Sequence, residues 1–224
     1  MKLICSPINL TVDLCYDKLN IIVIENIYGF RSFVNEMNLA SQSEQSSVSI
    51  LDGAKALNLS KSLFFVQSPY LININDKRFL NAAYDQLSCE FNNDSVLQMK
   101  FNELNSELES LLYDLLLKSD FNLTIDGGLD LHSVLKSFGV KIEDIDESLV
   151  EKLIDFVSLV SKLKIATPVI AFLNLQQFLD QQELKSLLDH SMSLNVMLLL
   201  LESRQICYNE NVNLTLLDSD LCVI

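Results

Sequence analysis

The stretch "NVMLLLLESR" (195–204) decides how this chain is read. Its apolar residues, Val196 to Leu201, run unbroken and stop on Glu202 and Arg204. A short, continuous apolar run is the pattern of a strand buried on both faces, as in a parallel sheet. Just upstream, "PVIAFLN" (168–174) has the same character, and "QQFLDQQELKSLLDHSMSL" (176–194) has the three- and four-residue spacing of an amphipathic helix. Strand, helix and strand within 35 residues make a βαβ unit, so the two strands are expected to be parallel.

Working outward, "KLNIIVIEN" (18–26) reads as another buried strand, and "IYGFRSFVNEMNL" (27–39) as the helix after it. The polar "ASQSEQSS" (40–47) is a loop. "VSILD" (48–52) and "SLFFVQS" (62–68) are strands, the second closed by Pro69, and "VNLTLLD" and "LCVI" add edge strands at the end. Between these strand-rich ends the pattern changes. From Lys77 to Lys118 there is neither Pro nor Gly, and Leu97, Phe101, Leu104, Leu108, Leu111, Leu112 and Leu115 form one helical stripe. "NNDS" (92–95) supplies caps that divide this segment into two helices. Shorter helices follow in "LDLHSVLKSFG" (129–139) and "DESLVEKLIDFVSLVSKL" (146–163). The expected organisation is an α/β head from residues 1–76 and 163–224, with a mostly parallel sheet, and a helical leg inserted at 77–162. The leucine stripe exceeds what a helix pair buries within itself, so it is expected to pack on its own leg or on a neighbouring protomer.

Several function classes are excluded or disfavoured. The longest apolar run is far short of the roughly 18 residues of a membrane span, and the N-terminal stretch lacks the form of a signal peptide, so a soluble cytoplasmic protein is expected. The five cysteines form no CxxC pair, which disfavours a disulfide framework or a zinc site; their apolar neighbours predict reduced core thiols. A net charge of −14 argues against a general nucleic-acid coat. A phosphate loop needs glycines ahead of Lys-Ser/Thr, and none of Gly29, Gly53, Gly127, Gly128 or Gly139 precedes a lysine. Glu202 and Arg204 therefore read as the polar ends of a buried strand, pairing with each other or capping the sheet edge. His132 and His190 lie in predicted helices, with no motif of nucleophilic or metal catalysis around them. "SDFNLTIDGGLD" (119–130) places Asp120, Asn122, Thr124 and Asp126 at every second position beside two glycines. That pattern suits a hard cation such as calcium, or a solvated loop between helices. "EDIDES" (143–148) reads as an acidic helix N-terminus.

Taken in order, "VIENIYGFRSF", "LDLHSVLKSFGVKIED", "PVIAFLN", "QQFLDQQELKSLL", "LNVMLLLLESR" and "LTLLDSDLCVI" resemble the short form of the CRISPR-associated adaptation protein of type II-A systems, the Csn-two family. The resemblance implies a head like a P-loop nucleotide hydrolase without the P-loop, a helical leg, and a homotetrameric ring. It further implies binding of double-stranded DNA ends in a basic lumen, support of spacer acquisition in antiviral defence beside the effector nuclease and integrase proteins, and no enzymatic activity. Calcium in the legs is implied too. Asp120 and Asp126 match two of the family's acids with one residue inserted, whereas Asn122 and Thr124 stand where carboxylates are expected. Asp130 is a further candidate. Basic residues near one another in sequence, and so candidates for the lumen, are Lys55, Lys61, Lys77, Arg78, Lys162 and Lys164. A second reading is an oligomeric scaffold whose acidic surface recruits protein partners.

Overall fold

The computed structural model describes residues 1–143, 148–204 and 212–224. The chain forms two compact units, Met1–Ile74 with Ile145–Ile224, and Asn75–Asp144.

In the first unit β1 (Lys2–Cys5) and β2 (Leu10–Asp13) precede β3 (Leu19–Ile24), whose six residues are all buried. Helix α1 (Ile27–Ser41) follows, then β4 (Val48–Asp52), β5 (Lys55–Ala56), the short α2 (Leu59–Ser62) and β6 (Leu63–Val66). Five strands make one parallel sheet in the order β6-β7-β8-β3-β9, with β7 at Val169–Leu173, β8 at Met197–Glu202 and β9 at Val212–Leu217. Every residue of β8 is buried, as the unbroken apolar run requires. The register sets Leu63 beside Val169, Val169 beside Met197, and Val23 beside Glu202. The expected βαβ unit is β7, α7 (Gln181–Ser193) and β8. Helix α7 begins in a capping box of Asp180 with Glu183.

A four-stranded antiparallel sheet, β2-β1-β4-β5, stands beside it. Its N-terminal strands were not legible as such, because Ser6, Pro7 and Asn9 break them into four-residue pieces. Phe33 and Met37 of α1 share one buried cluster with Leu3 and Ile50 of this sheet and Ile22 and Leu199 of the parallel one. The cysteine expectation is corrected: Cys5 is buried, but Cys89 and Cys222 are exposed, while Cys207 lies outside the described residues.

The second unit holds α3 (Lys77–Asn92), α4 (Ser95–Leu116) and α5 (Leu131–Ser137). Asp94 caps α4 by accepting from the amides of Val96 and Leu97, so the "NNDS" break falls where the sequence placed it. Asn75 exchanges two hydrogen bonds with the backbone of Ile142, and Tyr84 donates to the Val140 carbonyl. Helix α4 has no buried residue: Leu104 is 62% exposed and Leu111 56%.

The boundary of the inserted leg is corrected. Helix α6 (Leu149–Lys162), assigned to the leg from sequence, belongs to the first unit. Its Leu153, Phe156, Val157 and Val160 are buried, and Phe156 meets Phe64 of β6 edge to face. A run of good helix formers does not reveal which body its apolar face covers. Ser148 and Glu151 close a capping box at its start; the remainder of the acidic run, 144–147, lies outside the described residues. Truncating Leu153 to Ala is accordingly expected to destabilise the protein by about 2–5 kcal/mol in urea unfolding. The same change at exposed Leu104 is expected to cost well under about 1 kcal/mol in the isolated protomer.

Candidate nucleic-acid interface

The parallel sheet has two ends, and they differ. In open parallel sheets ligands usually bind beyond the carboxyl ends of the strands. Here that end is filled by the chain itself. After β3, Asn26 caps α1, its Oδ1 accepting from the amides of Tyr28 (3.0 Å) and Gly29 (2.9 Å) while its Nδ2 donates to the Ser219 carbonyl (2.6 Å). Leu221 lies against Gly29, where a Cβ would collide with its methyl group. A phosphate cradle needs free amides at this helix start; two of them are taken by Asn26.

Glu202 ends β8 beside this junction and is 1% exposed. Its carboxylate accepts from the Gln176 amide at 3.3 Å, in the 3-10 turn that follows β7. Burial pushes its pKa up to about 7, against the lowering effect of the backbone bonds from Gln176 and Leu175. Neither expected role is the one observed: β8 is a central strand, and Glu202 holds the turn after the neighbouring strand. Arg204 is exposed and forms no ion pair with it among the described residues.

The amino end of the sheet presents several exposed lysines. Lys61 lies in α2, directly before β6, while Lys162 ends α6 and Lys164 lies in the turn leading to β7. Since β6 and β7 are paired neighbours, the fold brings these three exposed lysines to one edge. Lys164 has a left-handed backbone (φ 53°), which costs an L-residue other than Gly or Asn roughly 1–2 kcal/mol. Lys18, which is not among the sequence candidates, precedes β3 at the same edge. Its turn is fixed by Asn20, 1% exposed, which donates to the carbonyls of Cys15 (2.9 Å), Lys18 (3.3 Å) and Leu198 (3.1 Å) and accepts from the Cys15 amide (2.8 Å). An asparagine inside an apolar strand was the available signal. Among the described residues none of these four lysines forms an ion pair.

The other sequence candidates lie elsewhere. Lys55 is on β5 of the antiparallel sheet, opposite Asp52. Lys77 and Arg78 begin α3 in the helical unit, where Arg78 pairs with Asp76 at 3.3 Å. Asp120, Asn122 and Asp126 lie exposed in the irregular segment before α5, and Asp130 is committed to capping α5 through the Ser133 amide and hydroxyl. No three His, Cys, Asp or Glu side chains gather in a metal-binding group among the described residues. His190 bonds the Ser158 hydroxyl (2.8 Å), which also donates to the Ile154 carbonyl (3.0 Å). His132 bonds Asp85 (3.1 Å) and meets Tyr84 edge to face. In both cases the histidine joins two helices.

These features define an α/β protein whose parallel sheet is closed at its carboxyl end by its own chain and presents exposed lysines at the other. A family model described as CRISPR-associated protein (Cas_Csn2) matches residues 41–221, and the chain belongs to that family. The fold is similar to that of Stu0660 of Streptococcus thermophilus, with a TM-score of 0.68 and 13% sequence identity, covering 97% of this chain and 75% of that one. No curated protein matches.

The Glu202 carboxyl gives a test of the closed end. Its folded pKa of about 7 lies above the ordinary value of 4.5, so its stabilising contribution is present below the ordinary value and is lost as pH rises through about 7. Above that pH the buried charge costs on the order of 3 kcal/mol. Glu202→Gln is therefore expected to match the wild type in thermal melts at pH 5 and to exceed it at pH 8. A difference independent of pH would contradict this assignment.

Proposed function

We propose that this CRISPR-associated protein is a non-enzymatic, ring-forming binder of double-stranded DNA ends that supports spacer acquisition in antiviral defence. The observation that carries this reading is the contrast between the two ends of the parallel sheet. The carboxyl end, where an NTPase would hold phosphate, is occupied by Asn26 and the 218–222 segment. The amino end presents lysines without partners among the described residues, and such charges attract a polyanion. The net charge of −14 does not oppose this, because phosphate meets only the local surface.

Family membership supports work beside the effector nuclease and integrase proteins, in the cytoplasm. No described helix is long and apolar enough to cross a membrane. A homotetramer accords with the exposed apolar residues of α4, since a patch of that kind usually marks an interface.

Two measurements test it. Affinity should favour linear duplex over relaxed closed circles, ignore base sequence and fall steeply with salt, with neither ATP hydrolysis nor DNA cleavage. Equal affinity for closed circles would contradict end binding, and turnover abolished by Glu202→Ala would restore an NTPase. In sedimentation the protein should have a mass near four chains, with or without chelator; a monomer would exclude the ring.

A further inference from the structure

We infer that the duplex backbone is bound along the amino edge of the parallel sheet, by a row of four lysines: Lys61, Lys162, Lys164 and Lys18. This inference rests on the DNA-binding reading above and assigns its contact surface, setting aside Lys55, Lys77 and Arg78. The row follows from topology. Lys61 enters β6, Lys162 and Lys164 enter β7, and Lys18 enters β3, with β8 between the last two strands. At about 4.8 Å between strands, the row spans roughly 14 Å. Duplex DNA carries one charge per about 1.7 Å of axis, so several phosphates pass within reach.

Two features show that this edge is held in position. Asn20, fully buried in β3, bonds the backbone at both ends of the turn that presents Lys18. Lys164 occupies a left-handed position just after the C-terminus of α6, where glycine would be without strain. The other left-handed non-glycine positions are Asn9, Asn174 and Asn195, the type that tolerates them, Leu221, which packs on Gly29, and the exposed Ser43. Lys164 has no such packing and is exposed. Two exposed acids accompany the Lys18 turn, Asp17 within it and Asp52, which is hydrogen-bonded to Tyr16.

The test is duplex affinity as a function of salt for Lys18→Gln, Lys61→Gln, Lys162→Gln and Lys164→Gln, with Lys55→Gln as control. Each row variant should lose roughly fivefold in affinity and lower the slope of log K against log salt by about 0.9; the control should change neither. Lys164→Gly separates binding from folding: it should raise the melting temperature by about 2–4 °C and still weaken DNA binding. If the wild type binds linear duplex while the row variants keep its slope, the contact lies elsewhere and this inference is overturned, with the DNA-binding reading intact. If the wild type binds no duplex, both fall.

Discussion

The parallel pairing of β3 with β8 is the constraint on which the head depends. Both strands are buried along their whole length, so each face of the sheet must be covered by other elements. Helix α1 covers part of one face and joins it to the antiparallel sheet through Phe33 and Met37. Because the connections are crossovers, every strand of this sheet points the same way, and its two ends are chemically independent surfaces. All the strand entries share one end, which is how lysines distant in sequence, Lys18, Lys61 and Lys164, come to a common edge.

At the opposite end the same geometry would suit a nucleotide. A central strand runs into a helix N-terminus, and a neighbouring strand ends on a carboxylate. Each part has been put to structural use. Asn26 satisfies the first amides of α1 and ties down the 218–222 segment. Glu202, the position at which a hydrolase could hold a metal ion, instead fixes the turn after β7.

Much of this was legible in the sequence. The continuous apolar runs at 19–24 and 197–201 located the central strands, and the glycine positions excluded a phosphate loop. What the sequence did not reveal depends on tertiary placement. The apolar stripe of α6 has the same period whether it faces a leg or a sheet, so its membership in the head could not be read. The N-terminal strands are four residues each, too short for alternation to show. Lys18 was passed over because its importance lies in its place at the sheet edge and in the bonds of Asn20, two residues later. The alternating oxygens at 120–126 were read as a possible cation loop from spacing alone. Among the described residues no three His, Cys, Asp or Glu side chains gather there, a placement that spacing does not reveal.

Lysine footprinting by mass spectrometry tests the central claim most directly, with amine modification of the native protein compared in the absence and presence of linear duplex. Selective protection of Lys18, Lys61, Lys162 and Lys164, with Lys55 equally reactive in both states, is the expected result. Unchanged reactivity of all four in a sample shown to be DNA-bound would contradict the amino-edge account.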